Sequence, residues 1–200
     1  MPVPDEELVR AVLAKNDRDI RCRETIESAW TSVKEEYPHR AWFRRKSTTR
    51  ALVWEHSVQN AIAEFEGSEG VRIIPHNDTF SFIFDDKVLL RLKKASMQLI
   101  SSNYPTLSAL LFHRHDADLF GFDGHHRVEL VHVFNRFETG LDWIGIVARQ
   151  AKKVIWDFEL RTGGAEIEAF PVPKQRPPAA DSVLRPFKND ADEASDKKED

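Results

Sequence analysis

The chain has 200 residues, with 29 Lys plus Arg against 33 Asp plus Glu and a formal net charge of -4 at pH 7. This length suits one domain of ordinary size, and 41% hydrophobic residues with 13 Phe and 5 Trp can form a sizeable core. The single cysteine, Cys22, excludes a disulfide within the chain. The charge balance neither indicates nor excludes a nucleic-acid partner, because a basic stripe can lie within an acidic total.

The N-terminus lacks the basic start and apolar run of a signal peptide. No stretch reaches the ~18 apolar residues that a membrane helix needs. We therefore expect a cytoplasmic protein, in the cytosol or the nucleoid, with no membrane contact.

The first part of the chain has the apolar period of helices. Apolar residues recur every three or four positions within residues 4–37 and again within 51–65, which predicts amphipathic helices. Pro38 ends the first run, because proline cannot continue a helix. The first run fits either one bent helix or two helices divided at Asn16 and Asp17.

From Val71 the apolar period changes to two, which predicts strands. Short connections between most of them indicate antiparallel pairing, because parallel strands need long crossovers. A short helix at Pro105–Phe112 is predicted to cross the sheet. The predicted strands include a hairpin at 79–84 and 88–93, a central strand at 128–137, and strands at 141–149 and 153–160.

In the last of these strands, Val154, Trp156, Phe158 and Leu160 are expected to share one face. The predicted fold class is α+β, with a helical N-terminal half packed on an antiparallel sheet of about five strands. The predicted domain spans residues 1–160, of which 1–66 are helical and 71–160 are mainly strands.

Residues 161–200 are rich in proline and end in a run of acids, so too few apolar side chains remain to fold. We predict a disordered tail there. One apolar island, Val183–Phe187, interrupts it and is a candidate docking motif with Phe187 as its apolar anchor. A chance pair of apolar residues is the plainer interpretation.

Five of the eight histidines lie between His113 and His132, interleaved with Asp116, Asp118 and Asp123. His and Asp are common metal ligands, yet no spacing here matches an established metal motif. The alternative is a polar surface loop before a central strand, with His132 packed beside Val128, Leu130 and Phe134. We assign no metal site and expect no cofactor.

The same region also fits metal-independent RNA cleavage, which needs a base, an acid and a cation near the scissile phosphate. His113, His115 and Arg91 are the candidate catalytic residues, with Lys93 as a binding cation. They converge only if the 105–112 helix folds back over the hairpin. Alternation along the strand favours the other interpretation, in which Arg91 and Lys93 form a solvent-exposed face.

A basic and aromatic connector precedes the last predicted helix. Residues 39–50 combine Trp42 with cations that include Arg40, Arg44 and Arg45. Cations beside an exposed aromatic ring suit phosphate contact and base stacking. The alternative is that the aromatics anchor the loop while the arginines are simply solvated.

Several short phrases between residues 53 and 160 are informative together: Val53-Trp54-Glu55-His56, Arg91-Leu92-Lys93-Lys94, Asn103-Tyr104-Pro105-Thr106, Asn135-Arg136-Phe137-Glu138-Thr139-Gly140 and Trp156-Asp157-Phe158-Glu159-Leu160. They resemble small uncharacterised bacterial and phage proteins encoded beside a helix-turn-helix partner with a metallopeptidase-like domain. The resemblance covers roughly residues 40–160. Such pairs look like toxin–antitoxin modules used in phage defence, which implies a toxin-like role and a cognate antitoxin. No functional residue is carried over, since none of these phrases is a catalytic motif.

Two function classes follow. The first is a toxin-like effector of a bacterial two-gene module, with RNA as its expected target. The second is a non-enzymatic adaptor or regulatory protein that binds a protein or nucleic acid through the connector and the tail. The effector needs His113, His115 and Arg91 in one cleft, whereas the adaptor needs only an exposed patch. The sequence sets neither the partner nor the oligomeric state.

Overall fold

The N-terminal half of the chain is helical, as its apolar period predicts. A computed structural model describes residues 3–76, 79–101, 106–115 and 124–163. Residues 164–200 of the predicted disordered tail, which include Phe187, and the three aspartates between 116 and 123 lie outside these residues. Arg161, the first residue of that predicted tail, forms an ion pair with Asp19 in the helical half. The helices of this half are α1 (Glu6–Ala14), α2 (Arg18–Glu36) and α3 (Lys46–Phe65).

The run between residues 4 and 37 forms two helices. Asn16 and Asp17 between them have φ angles of 51° and 50°, in the left-handed region that Asn and Asp adopt more readily than other non-glycine residues. Arg18 begins α2, and its buried side chain donates to the carbonyl of Val12 at 3.2 Å. The left-handed backbone of Asn16 and Asp17 and the hydrogen bond from Arg18 to Val12 thus both stabilise the connection between α1 and α2.

The second half forms a six-stranded sheet in which the strands lie in chain order, with one short helix between the third and fourth strands. The elements are β1 (Val71–His76), β2 (Thr79–Phe84), β3 (Val88–Ala95), α4 (Leu107–Phe112), β4 (His126–Phe134), β5 (Leu141–Gln150) and β6 (Lys153–Glu159).

The α+β class and the mainly antiparallel sheet are confirmed, with two corrections. The sheet has a sixth strand, β1, which pairs with β2 in the register Val71↔Phe84. The β3–β4 pair is parallel, with Arg91 opposite Glu129. Its direction follows from the long connection through α4, which returns the chain to the starting end of β3.

The sheet has two covered faces. One packs on the helical half, where Phe65 of α3 makes edge-on ring contacts with Phe82 and Phe84 of β2. Phe112 of α4 packs on the opposite face, the second face, against Ile83 and Leu89. Arg91, on the same face of β3 as Leu89, lies against the Phe112 ring of α4.

Two predictions about side-chain placement have different outcomes. His132 is buried at 1% exposure on the helix-facing side, with its ring 5.3 Å from that of Phe134, as predicted. The prediction for Val154 is wrong, because the β5–β6 register shifts between Ala148 and Arg149. This bulge places Val154 opposite Arg149 on the second face, whereas Trp156 and Phe158 face the helices.

Candidate functional site

A buried polar cluster lies on the second face of the sheet. Glu129 of β4 is the cross-strand partner of Arg91 on β3 and of Val147 on β5. Arg149 lies two residues beyond Val147 on the same face, within diagonal reach of Glu129. The pairing of three central strands therefore brings a carboxylate between two guanidinium groups.

Glu129 and Arg149 form the centre of this cluster. Arg149 Nε lies 3.0 Å from Glu129 Oε2, and the two side chains are 3% and 1% exposed. Ser101 Oγ donates to Glu129 Oε1 at 2.9 Å and accepts from Arg149 Nη2 at 2.7 Å. Burial acts to raise the pKa of Glu129, but His113, Arg149 and Ser101 together hold that pKa below its ordinary value.

His113 completes the cluster from the end of α4. Its Nε2 lies 2.8 Å from Arg149 Nη2 and 3.3 Å from Glu129 Oε1. Nε2 accepts a hydrogen bond from the guanidinium when it carries no hydrogen, and donates to the carboxylate when it carries one. The tautomer of the imidazole therefore decides which of the two charged partners Nε2 binds.

His115 has a different role from the one predicted. Its Nε2 lies 2.8 Å from the carbonyl oxygen of Arg149, and a carbonyl can only accept, so Nε2 carries the proton. The backbone N–H of Ala151 also donates to the carbonyl of His113 at 3.2 Å. These contacts hold residues 113–115 against the end of β5.

Arg91 is buried at 5% exposure, so the solvent-face interpretation is wrong for this residue. Its Nε donates to Ser81 Oγ at 2.9 Å, and its guanidinium carbon lies 4.6 Å from the centroid of the Phe112 ring. Burial lowers the pKa of Arg91 to about 10. The half-buried Lys93 also has a lowered pKa, for which burial is the largest cause.

The structure thus buries all three predicted catalytic residues near the C-terminal end of α4. His113 and Arg91 both contact the Phe112 ring, at 5.2 Å between ring centroids and 4.6 Å respectively. His113 is 8% exposed and His115 is 4% exposed. The cluster holds an imidazole, a carboxylate and a guanidinium group, and the side chains of all three are buried.

The sequence prediction missed Glu129 and Arg149. Glu129 interrupts the apolar run of β4 between Val128 and Leu130, Arg149 ends the apolar run of β5, and that context was a usable signal. A charge on such a strand is buried, and a buried charge needs a partner. Among the described residues, no group of three His, Cys, Asp or Glu side chains is arranged to hold a metal ion.

Unlike the buried cluster, the connector between α2 and α3 has exposed side chains. Trp42 is 78% exposed, and one face of its indole stacks on His39 at 4.6 Å and 19°. Arg44 and Arg45 are exposed beside it. Phe43 is half-buried, with its ring 6.3 Å from that of Tyr37. One aromatic therefore anchors the connector while the other faces solvent.

Arg40 contributes to that anchoring. Its guanidinium carbon lies 5.4 Å from the centroid of the Trp30 ring, and Nη1 donates to the carbonyls of Lys34 and Tyr37 at 3.3 and 3.4 Å. A cation at these carbonyls satisfies the C-terminal end of α2. The exposed cations of the connector are thus Arg44, Arg45 and Lys46.

The fold and these two sites define an α+β protein with a mixed sheet, a buried charged cluster on one face and a basic aromatic connector at one end. No protein-family model, curated protein or solved structure matches this chain. Within the described residues, no helix has the length and apolar character needed to cross a membrane.

Proposed function

We propose that this protein binds single-stranded nucleic acid, with RNA as the natural ligand, through the 39–50 connector. The observation that carries the proposal is the placement of Trp42, a largely exposed ring stacked on His39 in a segment that contains six basic or histidine side chains and no acid. The exposed indole offers a flat face for stacking beside cations that bind phosphate.

The chemistry of the connector suits a single strand better than a duplex. A flat ring stacks on an unpaired base of any sequence, and this stacking contributes about 1–3 kcal/mol per base. Arg44, Arg45 and Lys46 supply the positive charge that binds the phosphate backbone. Arg40 and Phe43 hold the loop in place, so the ligand does not have to order it.

The direct test measures the binding of a fluorescently labelled single-stranded RNA and of the matching duplex. We expect the single strand to bind more tightly, Trp42→Ala to weaken it about tenfold, and Trp42→Phe to retain most of the affinity. Arg72→Ala on β1 is the charge control, because this exposed arginine lies outside the connector. Equal binding by wild type and Trp42→Ala would refute the proposal.

The sequence resemblance supplies a biological setting for this activity. As the toxin-like member of a bacterial two-gene module, the protein would act on RNA in the cell and be held inactive by a cognate antitoxin. Induced expression in a bacterial host tests this setting. Growth arrest by the wild type, relieved by Trp42→Ala and by the co-expressed partner, supports it; unimpaired growth instead favours the non-enzymatic adaptor.

A second candidate function is RNA cleavage at the buried cluster, favoured by the convergence of His113, Glu129 and Arg149 within 3.3 Å. Because these side chains are buried, cleavage requires α4 to leave the second face. A Glu129→Gln variant that stays folded and binds RNA but no longer arrests growth would support this candidate. Arrest that persists in a folded Glu129→Gln variant would place the activity elsewhere.

A further inference from the structure

The turn between β4 and β5 exposes a second aromatic ring. Phe137 is 74% exposed, and the guanidinium carbon of the exposed Arg136 lies 6.0 Å from the centroid of its ring. The turn thus carries a large exposed aromatic ring beside an exposed arginine, as the connector does with Trp42 and Arg44.

The turn is ordered by its own hydrogen bonds. Asn135 accepts from the backbone N–H of Thr139 at 2.9 Å and donates to Thr139 Oγ1 at 2.9 Å. The N–H of Asn135 also donates to the carbonyl of Gly140 at 3.0 Å. Phe137 therefore projects from a fixed loop, which lowers the conformational entropy lost when a ligand binds.

One contact ties this turn to the connector end of α3, and a second ties the end of β4 to α2. Arg50, in the first turns of α3, makes an ion pair with Glu138, and its Nε donates to Oε1 at 3.1 Å. Beneath them, Phe134 at the end of β4 meets Trp30 edge-on at 5.7 Å. Arg40 of the connector also lies against the Trp30 ring, with its guanidinium carbon 5.4 Å from the ring centroid. The connector and the turn thus lie at the same end of the molecule.

We propose that Phe137 and Arg136 are the second half of one single-strand binding surface, the two-ring surface, whose first half is Trp42 with Arg44 and Arg45. One base stacks on each ring, and the arginines contact the phosphates between and beside them. This inference rests on the proposed function and specifies the length and class of ligand, a strand long enough to reach both rings.

The charge of the two-ring surface favours nucleic acid over an apolar or basic peptide. Glu138, the carboxylate closest to Phe137 in sequence, is paired with Arg50 and so does not repel a phosphate. Exposed carboxylates also lie near this surface: Glu35 and Glu36 at the end of α2 and Asp142 at the start of β5.

The test compares Trp42→Ala, Phe137→Ala and the double variant for binding to a single-stranded RNA of about 12 nucleotides. Each single variant is expected to bind about tenfold more weakly than the wild type. Phe137→Trp is expected to retain binding and Phe137→Leu to weaken it about as much as Phe137→Ala does, since stacking and not apolar area is the cause. Leu110→Ala on α4 is the control for loss of an exposed apolar side chain, because Leu110 is 54% exposed.

The outcomes separate this inference from the proposed function. If Trp42→Ala weakens binding and a folded Phe137→Ala does not, the two-ring surface is overturned and connector binding stands. If neither variant changes binding, both proposals fall. If Phe137→Ala leaves RNA binding intact but disrupts a complex with a protein partner, the turn is a protein interface and the inference is again overturned.

Discussion

Arg149 and Glu129 form an ion pair with 3.0 Å between Nε and Oε2, and their side chains are 3% and 1% exposed. The pair joins the central strands β4 and β5 at the point where Ser101 and His113 meet the sheet. It therefore determines how the residues around α4 are held on the second face. Removing one partner leaves an uncompensated charge in a site that water does not reach.

Arg149→Met is expected to lower the free energy of unfolding by about 3–5 kcal/mol, because it strands the Glu129 carboxylate. Urea denaturation of the two proteins measures the difference. The matched control is Arg72→Met at the exposed Arg72–Asp86 pair, whose side chains are 61% and 76% exposed. That change should cost less than about 1 kcal/mol. Equal losses in the two variants would contradict the structural role given to the buried pair.

The double variant Glu129→Gln with Arg149→Met should be less destabilised than the sum of its single changes. Each single variant leaves one buried charge without its partner, whereas the double variant removes both charges. A complete cycle of four proteins gives the coupling energy from urea denaturation. Strict additivity would mean that the two groups do not interact in solution.

His132 makes the stability of the protein depend on pH in a defined window. Burial, and secondarily the charge of Lys94, lowers the pKa of His132 to about 4 from an ordinary value of 6.5. Between these values the unfolded chain binds a proton that the folded chain does not. The free energy of unfolding should therefore fall with decreasing pH across this window, by about 1.4 kcal/mol per pH unit from this group.

His132→Leu should remove most of that slope, since the replacement cannot bind a proton on either side of the transition. Urea denaturation at a series of pH values between 7 and 4 compares the variant with the wild type. If stability depends on pH in the same way in His132→Leu and in the wild type, His132 does not take up its proton only on unfolding, and the lowered pKa would be contradicted.

Glu129 acts in a lower window. Its pKa in the folded protein lies below the ordinary 4.5, although burial alone would raise it. The stabilisation it provides is thus complete above the unfolded value and is lost as the pH falls through the folded one. Glu129→Gln should abolish this acid-dependent component below the ordinary value of 4.5 and leave the His132 window unchanged. Denaturation curves extended below about pH 4 test this component.

Gly145 tests the pairing of β5 with β6. A Cβ at this position would meet the Phe158 carbonyl oxygen and the ring of Trp143, and the backbone carbonyl cannot turn aside. Gly145→Ala should therefore destabilise the protein by about 1–3 kcal/mol. In Gly140→Ala the added Cβ lies 3.3 Å from Asn135 Nδ2, a side-chain atom, so a smaller loss is expected. A neutral Gly145→Ala would contradict the close approach of the strands.

The change of apolar period at Val71 predicted the boundary between helices and strands, because burial on one face determines both patterns. The parallel β3–β4 pair was not predictable in this way, since period does not encode strand direction. The face of the sheet on which Val154 lies was also not predictable from the sequence. A bulge adds one residue to the count, and no turn or glycine at that point of the sequence signals it.

For the candidate sites, the sequence identified individual side chains better than their environment. Arg91 alternates along its strand as a solvent-facing residue would, and only the position of α4 reveals that it is buried. Glu129 and Arg149 become partners through the register of β4 and β5, which is a tertiary property. The exposure of Trp42 beside the half-buried Phe43 depends on Tyr37 and Trp30, which lie elsewhere in the sequence.

The most direct test of nucleic-acid binding by the connector is the salt dependence of single-stranded RNA affinity for the wild type and for Arg44→Ala, Arg45→Ala. Each phosphate contact to a single strand contributes about 0.7 to the slope of log affinity against log salt concentration. The double variant should therefore bind more weakly at low salt, with a slope shallower by about 1.4. Arg72→Ala should match the wild type. An unchanged slope and affinity in the folded double variant would contradict the proposal.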